Sequence, residues 1–247
     1  DYYSYNNNKW IDNLNAVDIY QEYLAKGWEL SLTKENYQEN IADDNKYEIP
    51  YIKGGKTSFP YNFKEAFQKS GANLTKGAPQ GNQLVIDFAK QLIKEEEIGK
   101  DGILDFLSMS FSATDYIGHQ FGVNSREVHD TYIKLDLQIA SFLNYLDQEI
   151  GEGNYLLFLT SDHGAGEVRD YLIDMKMDGG YIDSKSIKKD LEAALDEEFG
   201  EAEYIKKITN LNIYLDSTIT SNSKKSKKVI AYAKEALKKY PGVLKVY

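Results

Sequence analysis

The stretch Ile103-Leu104-Asp105-Phe106-Leu107-Ser108-Met109-Ser110-Phe111 decides how the chain is read. It is an apolar run of strand length, with Asp101-Gly102 before it and a polar loop after it, which is the pattern of a buried β-strand. Beyond it, Asn124 offers a helix N-cap with Glu127 three residues on. Val128, Tyr132, Leu135, Ile139, Phe142, Leu143 and Leu146 then recur at three- and four-residue spacing until Gly151. This spacing predicts an amphipathic helix over residues 125–150. Tyr155-Leu156-Leu157-Phe158-Leu159-Thr160 reads as a second buried strand. Strand, helix and strand make one βαβ unit, whose strands are expected to be parallel, with their carboxyl ends on one edge of a sheet.

Upstream, the first hundred residues read as helices joined by irregular segments. An amphipathic stretch runs from Lys9 to Lys26, a loop passes through Pro50, Gly54-Gly55 and Pro60, and a short helix follows near Glu65 to Lys69. A longer helix from Gln83 to Glu97 carries Leu84, Phe88, Leu92 and Ile93 on one stripe. No strong strand precedes residue 103, whereas a doubly wound domain opens on one, so the chain is expected to begin partway through a domain. Downstream, helices are predicted over Lys185 to Phe199 and Ser226 to Lys239. Strands are predicted near Tyr204 to Ile208 and Leu211 to Leu215, with a last strand-like piece from Val243 to Tyr247. The expected fold class is α/β: part of a mostly parallel sheet flanked by helices, with a mainly helical and irregular N-terminal portion. The compositional boundary near residue 100 divides residues 1–100 from the α/β portion, 101–247, within one incomplete domain.

Composition excludes several functions. In 247 residues the 29 basic and 39 acidic side chains leave a net charge of −10, which repels nucleic-acid phosphates, and no basic patch is interleaved with aromatics. The run Lys224-Lys225-Ser226-Lys227-Lys228 opens a helical pattern and reads as a solvated face. No apolar run is long enough to cross a membrane, and the start, Asp1-Tyr2-Tyr3-Ser4-Tyr5-Asn6-Asn7-Asn8, lacks the pattern of a signal peptide. With no cysteine, any metal must be held by His, Asp and Glu.

Two motifs carry chemistry. Asp115-Tyr116-Ile117-Gly118-His119 follows the first predicted strand and Ser161-Asp162-His163-Gly164 the second, so the βαβ unit brings two Asp/His pairs to the edge where ligands of open α/β sheets bind. Carboxylate and imidazole suit zinc, with manganese or magnesium as carboxylates increase. Taken singly, Asp115 and His119 also read as a surface pair on a helical turn, and Asp162-His163 as a turn and cap. Together they outweigh those readings, because only three histidines exist and two of them sit beside aspartates at one predicted edge. The third, His129, reads as a surface or helix-packing residue. Thr114, Thr160 and Ser161 lie beside the motifs and read as supporting hydrogen-bond donors or loop caps.

The stretch Ser110 to His119, followed by Asn124-Ser125, Tyr132, Leu135-Asp136 and Thr160-Ser161-Asp162-His163-Gly164-Ala165, resembles the bacterial monomeric alkaline phosphatases related to the nucleotide pyrophosphatase/phosphodiesterases. Lys9-Trp10 and Asn212-Ile213-Tyr214-Leu215 extend the likeness along the chain. The resemblance implies that Asp115 and His119 bind one zinc ion and Asp162 and His163 a second. The ions, about 4 Å apart, would clamp the attacking and leaving oxygens of an in-line phosphoryl transfer through a phospho-threonine or phospho-serine enzyme.

It also implies a phosphate ester substrate, a monomer and a periplasmic or secreted parent. The family's nucleophile, a further metal aspartate and the phosphate-contacting Lys and Arg are expected upstream of Asp1, and a further ligand histidine beyond the last strand. Catalytic residues are therefore expected to be absent here, and the 247-residue chain is expected to bind zinc weakly and to be inactive. Competing readings are a phosphodiesterase or nucleotide pyrophosphatase on the same metals, a cofactor-independent phosphoglycerate mutase with similar motifs, and a non-catalytic module.

Overall fold

The computed structural model describes residues 8–15, 19–37 and 42–247. The first seven residues, where no signal-peptide pattern was read, lie outside them, as do residues 16–18 within the predicted Lys9–Lys26 stretch. The chain divides into two compact units, Asp1–Tyr171 and Leu172–Tyr247. The compositional change near residue 100 does not coincide with that division.

In the first unit the helices are α1 (Lys9–Asn15), α2 (Ile19–Ala25), α3 (Lys64–Ser70), α4 (Gln80–Glu95), α5 (Ala113–Phe121) and α6 (Arg126–Leu146), and the division between the units falls within α7 (Arg169–Asp174). Two cores hold this unit. In the first, Ile117 and Phe121 of α5 pack with Leu24, Trp28, Phe59, Tyr61, Phe63 and Leu74. Gly27 makes this possible. It sits at φ +63°, and a Cβ there would meet the Tyr61 carbonyl oxygen at 2.4 Å, where Trp28 and Tyr61 bridge antiparallel.

In the second core, Ile86, Ala89 and Ile93 of α4 meet Phe142 and Leu146 of α6. The buried stripe of α4 is thus Ile86, Ala89 and Ile93, also at three- and four-residue spacing, whereas the predicted Phe88 stays exposed with Trp10 tilted against its ring at 5.4 Å.

The start of α6 corrects the predicted cap. Ser125, not Asn124, is the N-cap, its side chain accepting from the Val128 amide at 3.2 Å. Glu127 does not close a capping box. It is fully buried and accepts the Tyr61 hydroxyl at 2.6 Å. The C-terminus of α6 ends in a turn of π-helix, Asp147–Gly151.

The predicted buried strands 103–111 and 155–160 belong to no ladder among the described residues, and most of their residues are exposed. Leu107, Met109 and Phe111 lean on the α4–α6 core with Ser108 and Ser110 exposed between them, and Tyr155 joins them, while residues 156–160 are all exposed. The expected parallel pairing of these two runs is therefore not formed. Two strands have to be hydrogen-bonded neighbours to pair, and resting on the same helices does not supply that.

The second unit contains α8 (Ser184–Phe199), β1 (Ile205–Thr209), β2 (Asn212–Leu215), α9 (Ser217–Thr220) and α10 (Ser223–Lys238). β1 and β2 form an antiparallel hairpin, Ile208 facing Ile213, turned by Asn210 and Leu211 at positive φ. Ile187, Leu191 and Leu195 of α8, Tyr204, Ile205, and Val229 and Ala233 of α10 close its core. These elements match their predicted spans closely, except that residues 243–247 form no strand. The lysine run 224–228 opens α10 and is largely solvated.

Candidate functional site

Each motif follows one of the extended runs. α5 begins right after the first, and Ile117 and Phe121 bury its inner face, which turns Asp115 and His119 to the opposite one. Asp115 Oδ1 lies 3.5 Å from His119 Nε2 on the next turn. The second run leads into Asp162-His163, and His163 Nε2 lies 3.9 Å from Asp115 Oδ1 and 3.6 Å from Asp162 Oδ2. All four side chains, Asp115, His119, Asp162 and His163, thus meet around Asp115 and His163, although the strands preceding them do not pair.

The imidazole of His163 is held in a defined orientation. Its Nδ1 lies 3.0 Å from the Gly164 carbonyl oxygen, to which an Nδ1–H donates, and this leaves Nε2 facing the two carboxylates. That bond, and then the charges of Asp162 and Asp115, raise the His163 pKa above its ordinary value. The site is open: the side chains of Asp115, His163, His119 and Asp162 are 48, 59, 76 and 89% exposed.

Gly81 lets α4 begin close to α5, since a Cβ there would meet the Thr75 carbonyl at 2.2 Å and the Ala113 methyl at 3.1 Å. Next to it, buried Asn82 donates from Nδ2 to the Thr114 hydroxyl at 3.0 Å. The Thr160 hydroxyl donates to the Ser161 carbonyl at 3.1 Å. His129, exposed on α6, meets the Tyr37 ring edge-on at 4.9 Å, away from the four motif residues.

The donor types, two imidazoles and two carboxylates, fit zinc in a protein without thiolates. Their number does not complete two sites. Among the described residues no group of three or more His, Asp or Glu side chains is arranged to hold an ion, and catalytic zinc ordinarily takes three protein ligands.

A second cluster of carboxylates escaped the sequence reading. Asp130, fully buried one turn into α6, accepts the Trp28 indole N–H at 2.6 Å, the Ser31 amide at 2.7 Å and the Tyr37 hydroxyl at 2.6 Å. Lys134 approaches it at 3.4 Å. Beside it, burial pushes the Glu127 carboxyl up to about 8, with Glu48 and Asp43 adding negative charge, and burial pushes Glu48 up to about 7. Glu127 Oε2 has no hydrogen-bond partner among the described residues. In sequence Asp130 falls on the polar side of the predicted helix, and no distant partner is visible in a single sequence.

Three relatives set these residues in context. A protein of Myroides odoratus named calcium-transporting ATPase is 43% identical over 246 residues, covering 98% of this chain and 45% of its own length. Alkaline phosphatase PhoV of Synechococcus elongatus is 44% identical over 191 residues, covering 77% of this chain and 34% of its own. Alkaline phosphatase PafA of Elizabethkingia meningoseptica is 35% identical over 246 residues. The PafA crystal structure superposes with a TM-score of 0.85 at 34% identity, over 100% of this chain and 47% of that one.

The chain spans less than half the length of each of these relatives. Its fold is that of the α/β alkaline phosphatases, with a small sheet in a helix-rich chain. The family described as type I phosphodiesterase / nucleotide pyrophosphatase matches residues 5–246, and the chain belongs to that family.

Proposed function

We propose that this chain carries the metal-ligand motifs of a zinc-dependent phosphate monoester hydrolase, with Asp115 and His119 serving one ion and Asp162 and His163 a second. The observation that carries the reading is the meeting of both motifs at one imidazole: Asp115, from α5, and Asp162, from the loop after the second run, approach the same nitrogen of His163. Two of the relatives bear alkaline phosphatase names, which favours a monoester as substrate. Zinc bound there supplies Lewis-acid stabilisation of phosphoryl oxygens and activation of a hydroxyl or water.

The chain's own residues orient and hold. α5 presents Asp115 and His119 from a helix anchored by Ile117 and Phe121, and Gly164 fixes the His163 ring so that Nε2 faces the site. Thr114 accepts from the Asn82 amide and Thr160 donates to the Ser161 carbonyl, which favours supporting roles for both, with the attacking hydroxyl supplied by another part of the longer enzyme. Such an enzyme works as a periplasmic or secreted monomer.

A phosphodiesterase is the second reading, favoured by the description of the matched family. Hydrolysis of p-nitrophenyl phosphate and bis(p-nitrophenyl) phosphate by the longer enzyme, with and without zinc, separates the two. Zinc-dependent turnover with a higher kcat/KM for the monoester is expected. A preference for the diester replaces the first reading with the second, and zinc-independent turnover sinks both. The 247-residue chain alone, in millimolar zinc, is expected to show no turnover above buffer, because two ligands per ion hold metal weakly.

A further inference from the structure

We propose that Asn124 and Glu167 are positioning residues: their hydrogen bond clamps the loop of the second motif, residues 161–167, onto the corner between α5 and α6 and so sets the approach of His163 to Asp115. The loop has little else to hold it. Residues 161–167 are all exposed, and Gly164 and Gly166, with open space around them, loosen the backbone on either side of Ala165. Among the described residues no backbone-to-backbone hydrogen bond ties 161–167 to the rest of the first unit. The side-chain hydrogen bonds of the loop are local, His163 with Asp162 and Gly164, and Thr160 with Ser161, with one exception. Asn124 Nδ2 donates to both carboxylate oxygens of Glu167, at 2.7 and 2.8 Å.

The corner that receives the loop is well packed. α5 ends in buried Phe121, buried Ser125 caps α6, and Asn124 stands between them. A second contact fixes the same joint. Gly122 sits at φ +86°, and a Cβ there would lie 2.9 Å from a methyl of Val168, so the residue after Glu167 packs where the corner has no side chain.

The clamp lies a few residues beyond His119 on one segment and beyond His163 on the other, and so joins the two segments close to both motifs. Neither Asn124 nor Glu167 is among the side chains that converge on His163, and the pair acts through the placement of those side chains. Hydrogen-bonding partners that orient metal ligands typically change metal affinity by about 10- to 100-fold. The effect on zinc rests on the reading of Asp115 and His163 as ligands, whereas the hold on the loop does not.

An exchange of the two partners tests the clamp. Asn124→Asp sets two carboxylates against each other, and adding Glu167→Gln restores a bond with donor and acceptor interchanged and the net charge unaltered. The protein has no cysteine, so Ala140→Cys on α6 and Ala165→Cys in the loop, both exposed, accept spin labels for a distance measurement in the 247-residue chain. Asn124→Asp is expected to broaden the distance distribution, and the exchanged pair to narrow it again. In the longer enzyme, chelator competition is expected to show zinc held about tenfold more weakly by Asn124→Asp and within about threefold of normal by the exchanged pair. That loss runs against the added negative charge, which by itself attracts the cation. Urea unfolding of Asn124→Asp is expected to be unchanged, since a carboxylate beside the N-terminus of α6 is favoured by the helix dipole. An unchanged distance distribution in Asn124→Asp overturns the proposal, as does an exchanged pair that behaves no better than the single change. Zinc held equally well by Asp115→Ala sinks the metal reading instead, and the spin-label distances then decide the clamp by themselves.

Discussion

Two groups of carboxylates lie in the first unit and could hardly differ more in their surroundings. Asp130 and Glu127 are fully buried at the start of α6, Asp130 receiving three hydrogen bonds from Trp28, Ser31 and Tyr37. Asp115 and Asp162 stand in the open, with imidazoles at 3.5 to 3.9 Å and few other partners. A carboxylate that is buried and fully engaged has spent its lone pairs on the fold. One that is exposed and converges with a histidine still has them available for an ion. Acidic residues next to each other in family or in sequence thus divide into structural and ligand-binding groups by what already touches them.

The largest effect should come from the buried group. Asp130→Ala leaves the Trp28 indole, the Ser31 amide and the Tyr37 hydroxyl without an acceptor and should destabilise the first unit by about 3–5 kcal/mol. Urea unfolding followed by Trp fluorescence measures it. Asp130→Asn, which keeps an acceptor oxygen, should cost less. A loss below about 1 kcal/mol for the alanine variant would show that these bonds are not what holds Trp28 in place.

The open group should behave in the opposite way. In the longer enzyme, Asp115→Ala or His163→Ala should lower kcat/KM about a hundredfold or more by removing stabilisation of transition-state charge, with urea unfolding essentially unchanged. Full activity of Asp115→Ala at limiting zinc would remove Asp115 from the ligand set. Parallel losses of stability and activity would erase the contrast between the two groups.

Legibility followed the same division. α8, the hairpin and α10 were readable because each buries its face within a few dozen residues: Leu191 and Leu195 meet Ile205 and Val229 nearby in the chain. The motif residues were readable because Asp and His recurred together after two apolar runs. The Asp130 network was not, since its donors at Trp28, Ser31 and Tyr37 lie about a hundred residues upstream, and in sequence the residue sits on a polar helix face. The cap at Ser125 was missed for a related reason. Asn and Ser cap about equally well, but here the Asn124 amide donates to both Glu167 oxygens at 2.7 and 2.8 Å. The two apolar runs were read as buried strands, but they join no ladder among the described residues and are largely exposed, because an apolar run specifies that it is to be covered and not by what.

A separate effect is a pH dependence carried by the buried group. The folded pKa of Glu127 stands near 8 and that of Glu48 near 7, both above an ordinary value of 4.5. Asp43, paired with Arg126 at 2.9 Å, and the hydroxyls of Tyr61 and Tyr51 surround them. Between the unfolded and folded values the native state binds more protons than the unfolded chain. Stability is therefore fully present below about pH 4.5 and falls as pH rises through about 7 to 8, with a limiting slope near 1.4 kcal/mol per pH unit for each group. Glu127→Gln should flatten that decline in urea titrations at several pH values. An unchanged profile would place the titrating group elsewhere.

The smallest effect is expected at the remaining histidine, which makes it the sharpest control. His129 shares a residue type with His119 and His163 and lies one residue before Asp130, so sequence proximity alone would assign it either to the metal or to the buried network. Its ring contact is with Tyr37, whereas the imidazoles that approach Asp115 are His119 and His163. The side chain is exposed on α6 and its ring meets Tyr37 edge-on at 4.9 Å, an arrangement worth at most about 1 kcal/mol at the surface. Because Tyr37 is anchored independently by its hydroxyl on Asp130 and by donation from the Leu32 amide, loss of the imidazole should leave the tyrosine where it is. His129→Ala should therefore keep zinc-dependent turnover within about twofold and unfolding free energy within about 0.5 kcal/mol of the unmodified protein, the range of ordinary surface substitutions. A hundredfold loss of turnover in that variant would mean that a histidine away from the convergent pair governs the chemistry.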